Sequence, residues 1–197
     1  MPRPLPGRLA ALLIAVLAVA GCETPPPAAL PDITFANLPG LSLDLARIEV
    51  AQSYDPPLSE PHVDHLLQTP PMSVLRRWAE ERLIPIGPAG TGTLTIVDAS
   101  IVEEALARTP GLSGVLRQEQ SERYTARFAV RLDFEDPNTG QSGYSEASIE
   151  RSITVAENAT LNDRERVWFE LTEQTAHDLD ARFEEELRQS VPELVRR

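Results

Sequence analysis

From Tyr124 to Phe134 the chain alternates without a break. Tyr124, Ala126, Phe128, Val130, Leu132 and Phe134 are apolar, and Arg123, Thr125, Arg127, Ala129, Arg131 and Asp133 fall between or beside them. A period of two held over this length predicts an extended strand with one dry face and one wet face. No other stretch constrains the fold as much, because such a strand needs a neighbour along its edge and a layer over its dry side. The neighbour follows directly. Asp136-Pro137-Asn138-Thr139-Gly140 is dense in turn formers, and a return strand is expected from about Gly143 to Val155, with Ala147, Ile149, Ile153 and Val155 on one face. Together they make a long antiparallel hairpin.

The covering layer is legible in two helical patterns. One helix is expected from about Pro70 to Ile84, capped by Thr69, with Met72, Leu75, Ala79 and Leu83 on one face and Trp78 beside them; Pro85 and Gly87 end it. The other is expected from about Asp163 to Gln189, opened by an Asn162/Glu165 capping box and carrying a stripe of Trp168, Leu171, Thr175, Leu179, Phe183 and Leu187. Leu43 to Gln52 reads as a first strand and Thr93 to about Val102 as a second. The order β-α-β-β-β-α predicts an α+β two-layer sandwich, a four-stranded sheet with two helices on one face. The even-numbered side of the third strand is expected to be the covered one.

The start of the chain is different in kind. Arg3 and Arg8 precede an unbroken apolar run from Leu9 to Ala20, which is the layout of a secretory signal peptide and too short for a transmembrane helix. The run ends at Val19-Ala20-Gly21-Cys22, and Cys22 is the single cysteine of 197 residues. This tetrapeptide resembles the bacterial lipobox. The resemblance implies removal of residues 1–21, a thioether-linked diacylglycerol on Cys22, and acylation of the new amino group, palmitate being a usual chain. It also accounts for a lone cysteine in an oxidising compartment, where an unpaired thiol is a liability. Glu23 follows, whereas the sorting pattern this resembles uses Asp for inner-membrane retention. The expectation is therefore an outer-membrane anchor on the periplasmic face, with the inner membrane as the alternative. Residues 22–40 hold five prolines and read as an extended tether, although Ile33, Phe35 and Leu38 point to docking of its second half. Residues 41–197 form the expected single periplasmic domain.

All 18 basic residues are arginine, and against 30 acids they leave a formal charge of −12 for the whole chain. Residues 22–197 lose Arg3 and Arg8 and stand at −14. Such a surface opposes nonspecific binding to nucleic acid, and none is expected as a partner.

Several groups are candidates for chemistry. His62 and His65, with Asp64 between them, have a spacing that a metal could use, but a site needs three or four ligands and His177 is the only other histidine. Loop histidines are the plainer reading, and no metal or other cofactor is expected. Trp78 and Trp168 sit on or beside apolar helix faces and read as core. Arg123, Arg127 and Arg131 form a row on the wet face of the third strand. Pairing with Glu146 and Glu150 on the return strand is one reading, and an anion patch is the other. Between Glu103 and Gln120 the periodicity breaks, leaving Leu112, Val115 and Leu116 among glycines and polar residues. They are either a partner-contact loop or a lid on the domain's own core. Asn158-Ala159-Thr160 matches a glycosylation sequon, which carries little weight behind a bacterial lipobox. The chain has no G-x-S-x-G, no free thiol once Cys22 is lipidated, and no glycine-rich phosphate loop, so an enzyme is not expected.

A lipobox, a proline-rich tether and a β-α-β-β-β-α domain over about Leu41 to Gln189 resemble periplasm-facing bacterial lipoproteins. The nearest group is the auxiliary lipoproteins of ABC- and MCE-type lipid transport (the PqiC type), and the lipopolysaccharide-assembly lipoprotein LptE has a related layout. The resemblance implies a non-enzymatic accessory subunit in envelope transport or assembly, anchored in the bilayer by acylated Cys22 and meeting an envelope protein. A lipid- or glycan-binding module of the outer membrane is the alternative.

Overall fold

The computed structural model describes residues 30–107 and 120–196. Its strands are β1 (Leu41–Leu43), β2 (Arg47–Gln52), β3 (Leu83–Pro85), β4 (Thr91–Ala105), β5 (Gln120–Asp136) and β6 (Gln141–Ala156); its helices are α1 (Pro71–Arg82) and α2 (Leu161–Ser190). Single 3₁₀ turns lie at Asp64–Leu66 and Pro192–Leu194. The fold is α+β. β2, β4, β5 and β6 form a four-stranded sheet in that order, with β2 parallel to β4 and the other pairs antiparallel.

The β5–β6 hairpin realises the period-two pattern. Every even-numbered residue from Tyr124 to Phe134 is buried. Phe128 faces Ile149 and Val130 faces Ala147 on the dry side, whereas Arg127 faces Glu150 and Arg131 faces Glu146 on the wet side. β4 reaches the same result by a different route. Leu94 and Ile96 point inward, and so do Ala99 and Ile101, which have the opposite parity. A β-bulge between Ile96 and Asp98 absorbs the change, leaving Val97 exposed and Asp98 on the open face.

α1 and α2 cover the dry face. Trp78 packs edge-on against Phe183 at 5.4 Å, and Tyr124 against Trp168 at 5.5 Å, so aromatic pairs join helix to helix and helix to sheet. All six residues of the expected α2 stripe are buried. Among the described residues, no helix is long and apolar enough to cross a membrane.

The structure corrects the expected elements in three places. The first strand is broken: β1 and β2 are separated by Asp44–Ala46, and β1 pairs in parallel with β3, which follows α1 directly. The helix expected to run to Ile84 therefore ends at Arg82. Gly87 then passes so close to the break that a Cβ there would lie 2.5 Å from the Asp44 carbonyl carbon. The caps also shift. α1 is flanked by Pro70 without a side-chain cap from Thr69. α2 starts two residues early on a Thr160/Asp163 capping box, in which Thr160 Oγ1 accepts from the Asp163 N–H at 3.2 Å.

Residues 30–40 are bound to the helical layer. Ile33 and Phe35 are 1% and 0% exposed. Arg77 donates to the Ile33 carbonyl at 3.0 Å, the Thr34 hydroxyl donates to Glu81 at 2.9 Å, and the Phe35 ring lies 4.8 Å from that of His177 on α2.

Candidate functional site

The wet face of the sheet brings together the arginine row and the two glutamates expected to pair with it. Because β5 is central, its odd-numbered side chains project between those of β4 and β6, and each arginine of the row meets a carboxylate. Arg123 donates to Glu104 on β4 at 3.1 Å. Arg127 pairs with Glu150 on β6, and this bond holds its guanidinium above the ordinary value. Arg131 is gripped by Asp133 at 2.9 Å and Glu146 at 3.1 Å, and its guanidinium carbon sits 3.7 Å from the centre of the Tyr144 ring. The hydrogen bonds that Arg131 donates to Asp133 shift its guanidinium in the same direction. Beside the first two arginines an open groove of about 680 Å³ is lined by Val102, Glu104, Thr125 and Ser152. A row of three arginines is thus embedded among four acids, a surface of ion pairs with one exposed aromatic, Tyr144, at its far end.

A second polar cluster, which sequence reading separated into loop histidines, closes the edge of β4. The segment after β2 runs beside β4, where the Val63 N–H donates to the Ile101 carbonyl and the Glu103 N–H to that of Pro61, both within 2.9 Å. This lodges Asp64 in the interior at 3% exposure. The Tyr54 hydroxyl donates to Asp64 Oδ2 at 3.3 Å, and His62 Nδ1 lies 3.6 Å from Asp64 Oδ1. Burial first, and then the Asp64 charge, push the Tyr54 phenol well above its ordinary value, so it stays a neutral donor. No group of three or more His, Cys, Asp or Glu that could hold a metal occurs among the described residues.

Sequence reading missed a third cluster, inside the helical layer. Arg82 is 2% exposed; its Nε donates to Asp180 Oδ1 at 2.6 Å and its Nη2 to Glu184 at 2.9 Å, while the Trp78 indole N–H donates to the same Asp180 oxygen at 2.8 Å. The available signal was Asp180 beside Leu179 in an otherwise apolar stripe.

Cys22, Leu112, Val115 and Leu116 lie outside the described residues. The strands on either side of the last three end at Ala105 and begin at Gln120. That end of the sheet is also where α2 begins, since Arg164 pairs with Glu122 at 2.7 Å. Residue 30 lies there too, in a cleft with Leu67, Gln68, Glu165 and Trp168.

No family model matches the chain, and no curated protein matches it. Among solved structures, it is similar to rare lipoprotein B from Shewanella oneidensis at 14% identity and a TM-score of 0.38, covering 74% of this chain and 97% of that one. It is also similar to a neuraminyllactose-binding hemagglutinin homolog from Helicobacter pylori at 12% identity and a TM-score of 0.39, covering 84% and 95%. Both likenesses are remote.

Proposed function

We propose that this chain is a non-enzymatic, lipid-anchored periplasmic lipoprotein acting as an accessory subunit in envelope transport or assembly. One observation carries the reading. The sequence places Val19-Ala20-Gly21-Cys22 only eight residues before Leu30, and the chain from Leu30 onward is inserted into the helical layer through Ile33 and Phe35. An acyl group on Cys22 therefore holds a folded domain rather than a loose tail. More than one acyl chain is needed for stable anchoring, which triacylation supplies. The polar clusters support a structural role. The arginine row is taken up in ion pairs, the Tyr54 phenol is made a poorer acid, and the Arg82–Asp180 pair is sealed between helices. Outer membrane is favoured by Glu23.

Two measurements test the anchor. Metabolic labelling with a palmitate analogue marks the native protein and not Cys22→Ser, and the variant leaves the membrane fraction or stays uncleaved. Normal membrane fractionation of a processed Cys22→Ser protein overturns the reading. The partner contact is assigned to Leu112, Val115 and Leu116, whose flanking strands end beside the anchor root. Changing Leu112 and Leu116 to Ser abolishes crosslinking to the partner at unchanged melting temperature. A fall of several degrees instead makes them part of the domain's own core.

The open groove beside Arg123 and Arg127 favours a second reading, a lipid- or glycan-binding module. Loss of complementation by Arg127→Gln/Arg131→Gln at normal melting temperature would select it.

A further inference from the structure

The anchor root lies at one end of the domain, and among the described residues that end exposes the apolar side chains of Leu66 and Leu161. Leu30 sits in the cleft between Leu67–Thr69 and the first turns of α2, with Glu165, Trp168 and Phe169. Gln68 donates to Glu165 at 3.1 Å and so fixes the 3₁₀ turn against the same helix end. Leu161, one helical turn before Glu165, is 66% exposed, and Leu66, two residues before Gln68, is 58% exposed. The opposite end is well separated. α2 has 30 residues, about 45 Å at 1.5 Å each, and its far end meets the hairpin turn, where a Cβ on Gly143 would lie 3.7 Å from Val191.

We infer that the α2 N-terminal end, through Leu66 and Leu161, rests on the lipid surface that holds the anchor. The inference rests on the anchored reading above and adds an orientation to it. The eight residues from Cys22 to Leu30 reach about 25 Å at the 3.1 Å rise of a proline-rich chain. The anchor root therefore never leaves the neighbourhood of the headgroups, and the side chains beside it meet that surface continually. The hairpin turn, about 45 Å away along α2, meets it only when the domain tips over towards the membrane. Exposed leucines next to an acylated tether gain by partitioning into the headgroup–acyl boundary, where apolar side chains are buried to a depth of about 5–10 Å. The polar groups around them are already matched: Arg164 by Glu122, Glu165 by Gln68 and Arg166 by Asp163. Contact with a neutral headgroup layer thus leaves the two arginines ion-paired and Glu165 hydrogen-bonded.

The test uses the full acylated protein in phosphatidylethanolamine/phosphatidylcholine vesicles. Acylation blocks the Cys22 thiol, so single cysteines at Leu66→Cys, Leu161→Cys and Asn138→Cys can each take a fluorophore. All three sites are exposed in the structure, and far-UV circular dichroism checks the fold. Lipid-borne nitroxide is expected to quench the probes at positions 66 and 161 and to leave the one at 138 bright. Equal quenching at all three positions, or none at 66 and 161, with the acyl mass confirmed on Cys22, overturns the orientation and leaves the anchor standing. A missing acyl mass overturns the anchor and the orientation with it. An acylated, vesicle-bound protein whose probes at 66 and 161 resist both lipid-borne and aqueous quenchers has that end covered by its own chain, which also overturns the inference.

Discussion

Arginine plays two opposite physical roles in this protein. Arg127 and Arg131 are solvated, and water screens most of what their carboxylate partners offer. Arg82 is sealed between α1 and α2, where Asp180 depends on it and on one indole N–H. Replacing Arg82 with Met leaves a buried carboxylate short of its partner, and removal of one member of a buried pair costs about 3–5 kcal/mol. The expected outcome is a melting temperature lower by about 6–20 °C, at about 2–4 °C per kcal/mol for a chain of this size. Changing Asp180 to Leu in the same protein recovers part of that loss, and calorimetry of the two variants checks both statements. Arg127→Gln, by contrast, leaves the melting temperature close to that of the native protein.

At the level of elements, α2 shows how local chemistry sets stability against pH. The Thr160 hydroxyl and N–H hold the Asp163 carboxyl below its ordinary value, and Arg188, with Arg82 behind it, does the same for Glu184 against the opposing effect of burial. A depressed native pKa means that the unfolded chain binds the proton more readily. Both groups therefore stabilise the fold fully above their unfolded values of about 4, and that contribution is lost as the pH falls below them. The urea midpoint should fall between pH 6 and pH 3, and Glu184→Gln should make that fall shallower. Thr160→Ala should cost about 1 kcal/mol at neutral pH, measured by urea titration. The same cap shows why part of the fold escaped the sequence. Asn162 with Glu165 fits the usual capping pattern, whereas the box in use has Asp rather than Glu or Gln at its third position. β1 and β3 are three residues each, too short to carry a period, so their pairing comes from tertiary packing alone. The bulge in β4 is visible only afterwards, as a change of parity between Ile96 and Ala99. The hairpin and the α2 stripe were legible because each repeats its period many times. The arginine row was legible with them, being the wet half of the same alternation. The Arg82 cluster was not, because nothing in a single helix marks an arginine for burial.

For the whole molecule, the chain before β1 belongs to the packing of the domain. Ile33 and Phe35 join the same apolar cluster as Trp78, Leu83 and Phe183. Phe35→Ala should cost about 3–5 kcal/mol, the usual range for a fully buried aromatic, and should do so in an unacylated, soluble version of the protein as well. A denaturation curve of Cys22→Ser with and without Phe35→Ala measures this apart from any membrane effect. No change in that curve would mean that residues 30–40 sit on the domain without supporting it. Insertion at Phe35 also determines how the molecule bears tension. In an anchored protein, any pull between the bilayer and a bound partner enters through residue 30 and meets Phe35 and its hydrogen bonds before it reaches the sheet. The first thing to yield under load is then this short buckle, which would release up to ten further residues of slack while the sandwich behind it stays folded.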